Sequence, residues 1–190
     1  MTDLLTFIRG FAHFSDEGWD ALRSITSQRE FKKGEHLVEA GKTKNSLFFI
    51  SKGFCRAYYI LDGEEINTNF YFEKEIATNI NSYVNNQRTT FAIQACEPLT
   101  AYEFDRGNVA EVSKRIPEIG IIGKRSLEMI AAKQEKQLEL YRLLTATQRY
   151  MHMERYQPEI LQRVSLTQLS SYLGVARETL SRIRRKKSEE

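Results

Sequence analysis

The sequence predicts an α+β chain: a helical start, a roll of short strands, one long helix and a closing pair of short helices. Three observations carry this. Between Glu30 and Asp105, runs rich in Phe, Tyr, Ile, Val and Thr alternate with glycine-bearing turns, the texture of a barrel or jelly roll. After Pro117 no proline occurs until Pro158, which leaves room for a long helix. In the stretch 167–187, Leu169, Leu173, Val175, Leu180 and Ile183 recur at helical spacing on either side of Gly174, as two helices packed across a tight turn require.

The first 28 residues read as helical, with an apolar stripe of Leu4, Leu5, Phe7, Ile8 and Phe11. Ser15 is placed to cap a second helix that carries Trp19, Leu22 and Ile25 on one face, Trp19 as a core anchor. Turn signals follow at residues 32–35, 39–42, 51–54 and 61–65. Between and after them, Leu47–Ile50, Phe54–Ile60, Ile66–Phe72, Thr89–Ala95 and Leu99–Phe104 read as strands. Asp62-Gly63, between two of these strands, is a hairpin turn. Residues 1–115 are therefore expected to form a β-roll with flanking helices.

A helical turn at Asn108–Val112 leads to Pro117, which opens a helix expected to run from Glu118 towards Gln148, roughly 45 Å long. Ile119, Ile122, Met129, Leu140 and Leu143 lie near a 3.5-residue seam, interrupted by Lys133 and Lys136. Two readings compete for residues 116–148, a helix spanning the surface of the β domain or a dimerisation helix; the second is favoured because a helix pair that reads an operator generally works in twos. Residues 149–190 are expected to form the DNA-binding domain: a further helix over about Ala146–Tyr156 leads to Pro158, and Ser165 or Thr167 caps the first member of the terminal pair. Ser170 is small where the two helices cross. This layout is that of a helix-turn-helix, whose second helix enters the DNA major groove.

Charge is concentrated where that helix would lie. The 190-residue chain carries a net +3; residues 177–187 hold six basic side chains against Glu178 alone, so the remainder is −2. A basic patch confined to one element marks a local polyanion site. Cys55 and Cys96 are far apart and fit neither a disulfide framework nor a zinc ribbon. His13, His36 and His152 have no second ligand at metal spacing, so no metal or cofactor is expected. No apolar run approaches the roughly 18 residues of a membrane span, and the start is too acidic for a secretory signal; the expected location is cytoplasmic.

Arg177, Glu178, Ser181 and Arg182 fall at i, i+1, i+4 and i+5 on one helix face. Arginine donates two hydrogen bonds to guanine O6 and N7, and glutamate accepts one from cytosine N4. A carboxylate within a basic helix repels phosphate, so its presence argues for base reading or for orienting an arginine; the plainer alternative is an i,i+4 pair with Arg182. Arg184, Arg185, Lys186 and Lys187 are suited to phosphates, as are Thr167 and Gln168 at the start of the preceding helix.

The run Arg177-Glu178-Thr179-Leu180-Ser181-Arg182 resembles the recognition helix of the cyclic-AMP receptor protein (Crp/Fnr) family of transcription regulators, which carries Arg-Glu-x-x-x-Arg or Glu-x-x-Ser-Arg there. The likeness covers nearly the whole chain, with Gly34, Gly41 and Gly53 at places like the family's β-roll turn glycines. It implies a cyclic-nucleotide-binding-like β-roll and a homodimer that binds palindromic double-stranded DNA. It also implies contact with RNA polymerase. By resemblance, Arg177, Glu178 and Arg182 contact bases, joined by Ser181 in the Fnr-like branch.

Two departures bear on the sensor. Cyclic-nucleotide-binding members carry Gly-Glu, then Arg-Ser or Arg-Thr about ten residues later, for ribose and phosphate. Here Thr78-Asn79 replaces Gly-Glu, and Arg88-Thr89 lies near the phosphate position. Asn79, Arg88, Thr89 and Thr90 are the candidate effector pocket, although Arg88 reads equally well as a surface residue at a strand start. Without the carboxylate, cyclic AMP is not the expected effector, and the effector's identity stays open. The usual winged hairpin before the helix-turn-helix looks shortened to Ile160–Val164. A cyclic-nucleotide-responsive regulator is one alternative. A cupin-like enzyme would need clustered histidines, whereas only His36 lies in the β region. An interaction module that had lost DNA binding would not keep the +5 helix.

Overall fold

The computed structural model describes residues 1–10 and 13–188, with side chains described as far as Arg185. Phe11, assigned above to the first apolar stripe, lies outside the described residues. Two compact units are present, one of Met1–Ala57 with Phe70–Ala131 and one of Tyr58–Asn69 with Ala132–Glu190.

The first unit opens with α1 (Thr2–Arg9) and α2 (Asp16–Ser24). Ser15 caps α2, its Oγ accepting from the Gly18 N–H at 2.9 Å. The roll consists of β1 (Thr26–Phe31), β2 (His36–Val38), β3 (Ser46–Lys52), β4 (Cys55–Leu61), β5 (Glu64–Tyr71), β6 (Ile76–Ala77), β7 (Ala92–Ala95) and β8 (Leu99–Asp105). These form two four-stranded sheets, ordered β1-β8-β3-β6 and β2-β7-β4-β5. Residue pairing runs antiparallel from Thr26↔Phe104 to Phe31↔Leu99 and from Ser46↔Asp105 to Lys52↔Thr100, with a register shift between Ile50 and Lys52.

Period-two alternation sorts β3 and β8 between two cores. Phe48, Ile50, Leu99 and Ala101 point into the roll with Cys55, Tyr71, Ile93 and Ala95. Leu47, Phe49, Tyr102 and Phe104 face the other way, against Leu4, Ile8, Leu22, Val112, Ile119 and Ile122. A strand buried on both faces reads as a continuous apolar run, which is why Leu47–Ile50 was legible. Trp19 is partly buried against this second core, as an anchor should be. Gly34, Gly41 and Gly53 all adopt positive φ. At Gly53 a side chain is excluded twice over: φ is +80°, and a Cβ would lie 2.5 Å from the Pro98 carbonyl oxygen.

The strand expected over Thr89–Ala95 begins only at Ala92. A short helix, α3 (Ile80–Asn85), precedes it and ends at Asn86 in the left-handed region, φ 57°. Thr89 then pairs its backbone with the turn at Gly41 and Lys42. After α4 (Arg106–Ser113) comes α5 (Pro117–Leu143). Glu118 seats the start of α5 on α2, its carboxylate accepting the Ser15 N–H at 3.0 Å and the Ser15 hydroxyl. Those hydrogen bonds hold the Glu118 carboxyl below its ordinary pKa.

The second unit holds the outer ends of β4 and β5, the last turns of α5, and α6 (Ala146–Tyr156), α7 (Pro158–Arg163), α8 (Leu166–Leu173) and α9 (Arg177–Ser188). Asp62 and Gly63 make the expected hairpin turn, and their φ values of 51° and 83° make it one of the primed type. Two expectations are corrected. The long helix ends at Leu143 and does not reach Gln148, because Thr145 and Gln148 form a capping box that starts α6 anew. Residues 160–164 are not a shortened wing: Pro158 occupies the first turn of α7, where its missing N–H costs nothing, and the helix continues to Arg163.

Candidate functional site

The α8–α9 pair is built on three leucines. Leu169 and Leu173 on α8 and Leu180 on α9 are almost wholly buried, and Ser170, also buried, lets the helices approach. Ser165 caps α8, accepting from the Gln168 N–H at 3.2 Å and donating to Gln168 Oε1 at 3.1 Å. Gly174 ends α8 at φ 67°, ψ 37°, and its N–H returns to the Ser170 and Ser171 carbonyls. A β-carbon there would be strained by the backbone conformation alone.

With Leu180 fixed inward, the side chains of Arg177, Glu178, Ser181 and Arg182 are exposed together, as are Arg184 and Arg185. Thr167 is exposed and Gln168 half-buried in the first turn of α8. Glu178 and Arg182 form no ion pair with each other among the described residues. The side chains of Lys186 and Lys187 lie outside the described residues.

Residues that the sequence reading passed over hold α8 in place. Ser171 Oγ donates to the Glu65 carbonyl at 2.9 Å and accepts the Asn67 N–H at 3.0 Å, tying α8 to β5. Gln137, on α5, donates to the Thr68 carbonyl at 2.7 Å and to the Tyr172 hydroxyl at 3.1 Å. Nothing local in the sequence marks Ser171 or Gln137, since a polar helix residue looks the same whether it faces water or a strand edge.

Of the four candidate effector residues, two are buried and engaged with the backbone and two are exposed. Asn79 is 3% exposed, and its Oδ1 accepts the Ser82 N–H at 3.0 Å, which makes it the N-cap of α3. Thr89, equally buried, donates its hydroxyl to the Glu39 carbonyl at 2.6 Å. Arg88 and Thr90 are exposed. Burial pushes the Cys55 thiol well above its ordinary pKa, so it behaves as an inert small hydrophobe. Among the described residues no group of three or more His, Cys, Asp or Glu could hold a metal ion, and no helix is long and apolar enough to cross a membrane.

Residues 28–115 match the cyclic nucleotide-binding domain family. Over 181 residues the chain is 26% identical to the transcriptional activator protein FnrA of Stutzerimonas stutzeri, covering 86% of this chain and 72% of that protein. It is likewise 26% identical to the transcriptional activator protein Anr of Pseudomonas aeruginosa, covering 88% and 73%. Among solved structures, the fold is similar to that of the c-di-GMP-responsive global regulator CLP of Xanthomonas campestris, with a TM-score of 0.67 at 15% identity over 92% of each chain. It is also similar to FixK2 of Bradyrhizobium japonicum, with a TM-score of 0.66 at 16% identity over 85% and 84%. A β-roll domain of the cyclic-nucleotide-binding kind, with helices, defines the class. Within it, the match over residues 28–115 and the likeness to the activators FnrA and Anr support the Crp/Fnr family of transcription regulators.

Proposed function

We propose that the protein is a homodimeric regulator that reads palindromic double-stranded DNA with α9 and does not respond to cyclic AMP. The observation that carries this is the division of labour on one helix: Leu180 is buried, and Arg177, Glu178, Ser181 and Arg182 are displayed side by side. Arg177 and Arg182 are the guanine readers, Glu178 accepts from cytosine or orients an arginine, and Ser181 adds a further contact. Thr167, Gln168, Arg184, Arg185, Lys186 and Lys187 bind phosphate, supplying affinity and salt dependence.

The exposed apolar residues Ile121, Met129, Leu138 and Leu143 on α5 support a dimer held through that helix. The division into a sensor over 1–115, a dimerisation helix and a DNA-binding segment over 149–190 is read in the same way. Against cyclic AMP stands Asn79, whose side-chain oxygen caps α3, where a ribose-binding carboxylate would be required. Contact with RNA polymerase is inferred from the activators FnrA and Anr. Selection of bound duplexes from a random pool tests the proposal: enrichment of a two-fold symmetric site with G·C pairs in each half supports it, and an unenriched pool defeats it.

A further inference from the structure

We propose that Arg149 is a positioning residue for DNA binding: it sets the angle at which the α8–α9 pair leaves α5, and so the half-site spacing that a dimer accepts. The inference rests on the reading of α9 given above.

Only Leu144 and Thr145 separate the end of α5 from the start of α6, and a break this short is a hinge unless something spans it. The Arg149 guanidinium spans it. Its Nη1 donates to the carbonyls of Tyr141 at 3.2 Å and Leu144 at 2.8 Å, at the end of α5. Its Nη2 donates to the Leu173 carbonyl at 2.8 Å, the last residue of α8 before the turn into α9. Carbonyls at helix C-termini lack intrahelical partners and carry partial negative charge, so a cation between two such ends is favoured at both. The guanidinium also lies 4.5 Å from the Tyr141 ring centroid, and that ring meets Tyr172 of α8 edge-on at 6.0 Å.

The chemistry demands arginine in particular. A planar fork presents donors in fixed directions to two helices at once, whereas a lysine ammonium is a point charge on a flexible stem. Arg149 Nε is buried with no hydrogen-bond partner among the described residues. That unsatisfied donor is unfavourable and offsets part of what the other hydrogen bonds contribute. The angle they fix matters for DNA binding, because the recognition helices of a dimer must reach successive major grooves about 34 Å apart.

The test compares duplexes that carry the wild-type-selected half-site alone, or as palindromes with centres moved apart or together by one base pair. Wild type is expected to prefer one spacing by at least about tenfold. Arg149→Met should bind the single half-site as wild type does yet discriminate among spacings by no more than about twofold. Arg149→Lys should fall between the two. Should thermal melting show that the Met variant does not fold, the Lys variant decides. Wild-type spacing preference in the folded Met variant, or in the Lys variant if Met fails to fold, overturns the proposal. A wild type that prefers no palindrome would instead defeat the reading of α9, a distinguishable result.

Discussion

Leu180 has no exposed surface, while its neighbours Ser181 and Arg182 are open to solvent; two kinds of consequence follow from that contrast. Arg182→Ala is expected to weaken binding to the selected duplex by about 1–3 kcal/mol and to leave affinity for random duplex unchanged; titrations of both duplexes check this, and equal weakening on each would contradict base reading. A second residue-scale prediction concerns acid stability. Burial pushes the Glu103 carboxyl up, but hydrogen bonds from Lys44 at 2.6 Å and Ser46 at 2.7 Å, with the charges of Lys44 and Arg29, outweigh it and hold the pKa below its ordinary value. A folded-state pKa below the unfolded one contributes stability above the ordinary carboxylate range, and that contribution is lost as pH falls through the folded value. Glu103→Gln should therefore melt below wild type at neutral pH, with the gap closing in acid. A pH series of melting curves with a constant gap would refute the assignment.

Single side chains hold whole elements in the second unit. Leu180→Ala truncates the α9 side chain that is fully buried among the described residues and should cost about 2–5 kcal/mol, read by denaturant unfolding. Ser171→Ala leaves the Glu65 carbonyl and Asn67 N–H without that hydroxyl and should cost about 1 kcal/mol in the same assay. If the two variants proved equally stable, the account of how α8 and α9 are held would be wrong. Elements with local signatures were legible beforehand: Ser15 before α2, Asp62-Gly63 at the hairpin, and the glycine between α8 and α9. The capping pair Thr145 and Gln148 was equally present in the sequence, yet an unbroken helical pattern through Leu143 concealed the stop. The α3 helix was hidden differently. Its cap, Asn79, lies where the family resemblance directs attention to a ligand site and away from a helix start.

For the whole molecule, the charge asymmetry sets the behaviour on nucleic acid. A +5 segment on a remainder of −2 should give DNA binding a steep negative dependence on salt. Arg185→Ala should lower affinity across all sequences and flatten that slope by about one; filter binding from low to high salt measures both. The sensor prediction is also global: calorimetry with cyclic AMP and cyclic GMP should show no micromolar binding, and heat at that level would overturn the role assigned to Asn79.

Short-range patterns alone determined much of this protein. Alternating apolar runs specified strands, glycines specified turns, and the order Arg-Glu-Thr-Leu-Ser-Arg specified which side of the last helix carries chemistry. Such features are legible because backbone preference and side-chain period act within a few residues. Only the folded chain decided which polar groups are structural. Asn79 and Thr89 answer backbone groups at Ser82 and Glu39, Ser171 ties α8 to β5, and Arg149 joins two helix ends. Each of these depends on a partner brought near by the fold, or on a helix whose start was not recognised. Hydrogen bonding is satisfied by proximity in space, and proximity across 24 or 106 residues is what a linear pattern does not contain.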